Sequence, residues 1–365
     1  MTDFIIVGAG LIGLMTAREL AQAGAQVRVL ERGGVGQESS WAGGGILSPL
    51  YPWRYPDPVT ALAGWGQTHY PRLAAALAEE TGIDPQWTRN GMLMLGSGEE
   101  AQAQAWAHRW GLHMEELTPS ELHACEPALD VIADTTALWM PQVAQIRNPR
   151  LLKALRANLD TLGVAVTEQC EVRGLVGWGG RLAGVVTGDG EIAAERVVVC
   201  GGAWSGQLLA SLDEGIAVEP VRGQMMLLNT EPGTVSRIVL QGERYVIPRR
   251  DGRVLVGSTL ERSGFEKRIT SEAREDLLRA AGAIIPALAE APVELHWAGL
   301  RPGSPHGIPL IGPYHPLEGL YVNTGHFRNG VVMGLASARL MADLLLGREP
   351  IVDPSPYDLN SYATN

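Results

Sequence analysis

Phe4-Ile5-Ile6-Val7-Gly8-Ala9-Gly10-Leu11-Ile12-Gly13 begins with four apolar residues that run straight into three glycines spaced Gly-x-Gly-x-x-Gly. A short continuous apolar run reads as a parallel strand buried on both faces. Leu14, Ala17, Leu20 and Ala21 then recur at helical spacing until Gly24 stops the helix, and Gln26-Val27-Arg28-Val29-Leu30 forms the next strand, ending at Glu31. The whole is one β-α-β unit. In that context Gly8 permits the tight turn, Gly10 lets the backbone approach a pyrophosphate, and Gly13 lets helix and strand pack closely. The helix N-terminus offers N–H groups and the positive end of its dipole to phosphate. Glu31 lies where a carboxylate accepts from the adenosine ribose hydroxyls, and its charge disfavours a 2′-phosphate. The stretch therefore predicts a dinucleotide site.

The rest of the composition narrows the class. The chain has 365 residues, 45% hydrophobic and 19% charged, enough apolar surface for a substantial core and too much for intrinsic disorder. Forty Asp and Glu against 29 Lys and Arg leave a net charge of −11, which argues against nucleic-acid or anionic-membrane partners. Cys125, Cys170 and Cys200 are far apart with no CxxC, so they suit a reducing compartment and no metal or disulfide framework. The first residues lack a cationic, cleavable leader, and the apolar stretch from Gly330 to Gly347 carries Arg339 and Asp343, so it is not a membrane span. A cytoplasmic protein is expected.

Beyond Glu31 the chain enters Gly33 to Gly45, rich in small residues and without strand character, then a Pro- and Trp-rich segment from Ser48 to Pro58 that reads as a surface loop. Ala61 to Thr81 and Glu99 to Trp110 read as helices. Asn148-Pro149 reads as an N-cap and first turn of another helix. Short strands are expected near Val164 to Val166, Arg181 to Thr187, Glu191 to Ala193 and Val197 to Cys200, with a hairpin at Asp189-Gly190. From Glu219 to Leu260 strands dominate again, and Arg249, Arg250 and Arg253 around Asp251-Gly252 read as a solvated hairpin tip. Gly201-Gly202 after the Val197 strand suggests a return to the first sheet. The fold class is α/β with an α+β second domain: a Rossmann-like FAD-binding domain interleaved with a mainly antiparallel-sheet substrate domain. The expected division is 1–80, 145–218 and 298–365 for FAD, and 81–144 and 219–297 for substrate.

The choice of FAD over NAD rests on Ser39-Ser40-Trp41-Ala42-Gly43-Gly44-Gly45-Ile46, small residues suited to an extended buried ligand, and on the β-meander that precedes Gly201. Trp297 to Gly303 and Gly325 to Gly330 each set an arginine, Arg301 and Arg328, between glycines, where a guanidinium fork matches a carboxylate. Tyr245, on a strand read as half-exposed, either packs or donates to the same carboxylate. The N-terminus of the helix after Gly330 faces the place where negative charge develops on a reduced flavin. No HExxH and no GxSxG occurs, which removes two hydrolase classes.

These stretches, together with Cys200 to Ser205, resemble in collinear order the D-amino-acid oxidase superfamily of FAD enzymes, and within it the glycine oxidases of the thiamine-biosynthesis type. The resemblance implies that Leu11 and Ile12 lie in the pyrophosphate loop, and Glu31 and Arg32 at the ribose. Ser39, Ser40, Gly44, Gly45 and Ile46 would line the middle and ring of FAD, and Val172 would meet the adenine. Trp204 would join these cofactor contacts. His326, Phe327, Arg328, Asn329, Gly330 and Val331 would wrap the flavin's pyrimidine edge. Arg301 and Tyr245 would hold the substrate carboxylate, with Arg328 and Leu260 beside the substrate. Leu260 and Glu243 replace a Met and a His of relatives, so side-chain preference departs most there. FAD would be non-covalent.

The implied reaction is oxidative deamination of glycine, or of small D-amino acids or N-methylglycine. It transfers hydride to flavin and yields a 2-oxo acid, ammonia and hydrogen peroxide, with no side-chain base required. The partners are a small amino acid or amine and oxygen, and analogy adds a homo-oligomer. A D-amino acid dehydrogenase that passes electrons to a quinone or carrier stands as the alternative, and a non-catalytic flavin-binding subunit as a reading from another class.

Overall fold

The structure, a computed structural model, describes residues 2–131, 136–210, 212 and 216–359. Phe4–Val7 and Val27–Leu30 pair in parallel, and the helix Leu11–Gln22 links them. They form the centre of a six-stranded sheet in the order 310–313, 320–324, 197–199, 4–7, 27–30, 165–167. Only the 310–313 edge runs antiparallel to its neighbour. Ile5 and Ile6 have no exposed surface, which is why the run carries no polar alternation.

The Leu11–Gln22 and Gly330–Leu346 helices pack on this sheet and share a core with the helix Asp57–Thr81. Fully burying a side chain such as Leu14 or Met333 contributes roughly 1.5–3 kcal/mol. Gly66 of the long helix lies against the Val332 carbonyl, where an added Cβ would come to 2.0 Å. The Tyr70 hydroxyl donates to the Val331 carbonyl. This close approach fixes the start of the C-terminal helix, which borders the site.

A second sheet of eight strands runs in the order 293–303, 219–229, 253–257, 244–248, 238–241, 92–95, 137–140, 115–117. It is antiparallel except where 238–241 meets 92–95. The expected division at 297/298 falls inside the Val293–Gly303 strand, which is hydrogen-bonded to Glu219–Asn229 along its length. A three-stranded sheet of Val172–Trp178, Arg181–Thr187 and Gly190–Ala193 completes the layers; its first strand was not legible because glycines interrupt its pattern.

Three local expectations need correction. The helix expected from Ala61 starts at Asp57, with Pro58 in the first turn, where its missing N–H costs nothing. The Ser48–Pro58 segment does not run over the surface, since Ser48 and Tyr51 are buried. Asn148 is not an N-cap: it is the first helical residue, and its amide donates instead to the Ser40 and Gly43 carbonyls at 2.9 and 3.0 Å. Among the described residues no helix is long and apolar enough to cross a membrane.

Candidate functional site

The carboxyl ends of Phe4–Val7, Val27–Leu30, Val197–Val199 and Leu320–Thr324 open into a cavity of about 450 Å³, which continues onto the eight-stranded sheet at Gly223, Met225, Tyr245 and Arg301. Ligands of open α/β sheets bind at such carboxyl ends.

At the sheet end the glycines divide their work. Gly8 has φ +103°, and a Cβ there would lie 2.6 Å from the Cys200 carbonyl oxygen. A Cβ on Gly13 would lie 1.9 Å from the Gly8 oxygen, so this glycine serves packing and is not on the cavity wall. Gly10, Leu11 and Ile12 are on the wall, at the N-terminus of the first helix. The Leu11 N–H is held by Ser40 Oγ at 2.8 Å. Glu31 accepts from the Ala9 N–H at 2.7 Å and the Gly33 N–H at 2.9 Å, tying the turn to the end of the second strand. Arg32 stacks over Trp204, its Cζ 3.8 Å from the ring centroid, and both line the cavity with Val172.

In the middle, Ser39, Ser40, Gly44, Gly45 and Ile46 face His326, Phe327, Arg328, Gly330 and Val331 across the cavity. Gly45 has φ +78°, and a Cβ would lie 2.0 Å from the Ile146 carbonyl oxygen, so only glycine fits. His326 is buried, its Nε2 is 2.9 Å from Ser337 Oγ, and its Nδ1 is unpartnered among the described residues. Burial pushes its pKa down to about 3, so the ring is neutral. Asn329 Nδ2 is likewise buried without a partner, but Asn329 lies behind the wall.

At the far end stands Arg301. It is not in a loop but on the strand Val293–Gly303, opposite Val221. Its guanidinium donates to the Thr259 carbonyl at 3.1 Å, the Arg222 carbonyl at 3.4 Å and Ser258 Oγ at 2.8 Å, with no ion pair among the described residues. Burial lowers its pKa, partly offset by Tyr245. Arg301 is half-buried, and a largely desolvated cation with only neutral partners is suited to receive an anion. Tyr245 is 7% exposed, so it is buried where the sequence suggested half-exposure. Arg328, half-buried, lines the same cavity.

Two glycines make room for this pair. A Cβ on Gly223 would lie 2.1 Å from Arg301 Nη1, and one on Gly257 would lie 2.5 Å from the Tyr245 ring. Behind them, the buried Arg222 pairs with Glu261 at 2.5 Å, and Gln224 donates to Glu261 at 2.9 Å. Burial alone would raise the Glu261 pKa, but donors from Thr259, Gln224 and Arg222 hold it below the usual carboxylate range. This network steadies Thr259, whose carbonyl accepts from Arg301, while Arg244 holds the Ser258 carbonyl.

Of the residues singled out in the sequence, Gly13, Asn329 and Leu260 are not on the cavity wall, and Leu260 is exposed, as is Glu243. The arginines of the 249–253 hairpin do not form a solvated tip as a group. Arg250 pairs with Asp84, and Arg253 with Asp251 and Glu294, but Arg249 turns inward to the Gly44 carbonyl. Gly223, Gly257 and Arg249 were missed. Their spacing carries no motif; only the register between strands brings them to the site.

The cavity fits FAD: a turn in which Gly8 and Gly13 admit no Cβ, one helix N-terminus at each of two points on the wall, and unpartnered polar groups beside it. A family described as FAD dependent oxidoreductase matches residues 3–344. A glycine oxidase of Pseudomonas aeruginosa is 50% identical over 97% of this chain and 97% of its own. A bifunctional protein ThiO/ThiG of Synechocystis is 32% identical over 95% of this chain, which matches 52% of that protein. The crystal structure of glycine oxidase from Geobacillus kaustophilus superposes with a TM-score of 0.93 at 29% identity, over 98% of each chain. With fold, cavity and family in agreement, this chain belongs to the FAD dependent oxidoreductases and takes FAD as its cofactor.

Proposed function

We propose that the protein oxidises glycine to an imino acid that hydrolyses to glyoxylate and ammonia, with oxygen as the electron acceptor. The observation that carries the reading is Arg301, a half-buried guanidinium with no counter-ion among the described residues, in the same cavity as the FAD-binding turn. Arg301 takes the substrate carboxylate, which supplies the missing negative charge. The Tyr245 hydroxyl lies beside the Arg301 guanidinium and makes only a long 3.9 Å contact to Met225 Sδ, so it can turn to donate to the carboxylate as well. Anchored there, the α-carbon and amine point toward the cofactor end of the cavity. FAD, bound without a covalent link along Gly10 to Ile12, Ser39 to Ile46 and His326 to Val331, would supply the hydride acceptor and the route of electrons to oxygen.

The chain's own contribution is position and field. The neutral His326 and the first turn of the Gly330–Leu346 helix present N–H groups and a positive dipole end where charge gathers. Gly44 lets this wall close up against the substrate end: a Cβ there would come to 2.8 Å from Ile247 Cδ1, with Met225 and Tyr245 next nearest at 3.5 Å. In the cell the product is proposed to feed thiazole formation for thiamine, in the reducing cytoplasm that three free cysteines suit. Equal amounts of glyoxylate and peroxide from glycine under air test the reading; glyoxylate without peroxide would favour the quinone- or carrier-linked dehydrogenase.

A further inference from the structure

Arg249 has the geometry of a designed part and no place in the substrate site. Its Nη2 donates to the Gly44 carbonyl at 2.8 Å, while Nη1 is anchored by Gln145 Oε1 at 2.5 Å and the Ile146 carbonyl at 3.3 Å. It makes no ion pair among the described residues. It is not on the wall of the large cavity; it lines a separate cavity of about 130 Å³ with Gln145, Arg147 and Pro248. Burial lowers its pKa to about 10, which leaves it charged at neutral pH.

A planar trans peptide points its C=O and its N–H in opposite directions. The Gly44 carbonyl is held from outside the wall, so the Gly45 N–H of the same peptide turns inward. No acceptor among the described residues takes that N–H, and Gly45 lines the large cavity. A charged donor on one end of a peptide strengthens the donor at its other end.

We propose that Arg249 is a positioning residue for the cofactor: from behind the wall it fixes and polarises the Gly44–Gly45 peptide so that the Gly45 N–H is a strong, preset donor to the flavin. The idea rests on the FAD reading and not on the choice of substrate. Lys cannot span Gly44, Gln145 and Ile146 at once, and Met supplies no charge.

The test uses the FAD-loaded protein and sulfite, which adds reversibly to oxidised flavin and leaves negative charge on the ring. Arg249→Lys should weaken sulfite binding several-fold and Arg249→Met by roughly tenfold or more, with the flavin midpoint potential falling in the same order. A purely structural role would lower FAD affinity or melting temperature and leave both readouts of the bound flavin unmoved. Parent-like sulfite affinity in either variant overturns the proposal, so Arg249→Lys decides it even if Arg249→Met does not retain FAD. A parent protein without a flavin band would instead indict the FAD reading itself.

Discussion

Gly223 lies flush against the Arg301 guanidinium: a Cβ added to it would stand 2.1 Å from Nη1. The arginine proposed to receive the substrate carboxylate is thus placed by a missing side chain on the neighbouring strand, two residues along from its register partner Val221.

Gly223→Ala should therefore impair the enzyme without removing a charge. The guanidinium must shift by an ångström or so, and misplacement of that size lowers kcat/KM for glycine by roughly 10- to 100-fold. The FAD absorption band should keep its shape. Steady-state kinetics beside the visible spectrum check this.

Arg301→Ala removes the receptor itself. Loss of a buried charged pair is worth roughly 2–5 kcal/mol, so KM for glycine should rise at least about 30-fold with FAD still bound. Unchanged glycine kinetics would remove Arg301 from the carboxylate role.

Gly45→Ala attacks the cofactor side. Its φ of +78° disfavours any side chain, by roughly 1–3 kcal/mol from the backbone alone, and the Ile146 oxygen blocks the Cβ. A lower melting temperature and weaker FAD retention after gel filtration are expected together.

His326 sets a pH dependence. Its ordinary pKa of 6.5 falls to about 3 in the fold because burial opposes its charge. The unfolded chain takes up the proton first, so the contribution is fully present above about pH 6.5 and is lost as pH falls toward 3. At pH 5 the loss is about 2 kcal/mol. Urea unfolding of the FAD-saturated protein should show a shallower fall in stability in His326→Gln than in the parent between about pH 7.5 and 5.

Much of the fold was legible because local signals and tertiary demands coincide at the N-terminus. The Phe4–Val7 run is apolar because the sheet buries both its faces, and the glycines after it are required by contacts as close as 1.9 Å. Legibility ended where function depends on register. Gly223 and Gly257 look like any strand glycine until Arg301 and Tyr245 are set beside them. Arg249 shares a hairpin with two arginines that do pair near the surface, and nothing in the order of residues distinguishes the one that turns inward. Asn148-Pro149 has the composition of a helix start, but a competing demand from the Ser40 and Gly43 carbonyls took the Asn side chain.

The most direct test of the central claim is the visible spectrum of the purified protein, recorded without oxygen before and after glycine is added, and again once air is admitted. The account predicts a flavin band that glycine bleaches and air restores, with peroxide formed as it returns. A flavin band that glycine leaves untouched would contradict it.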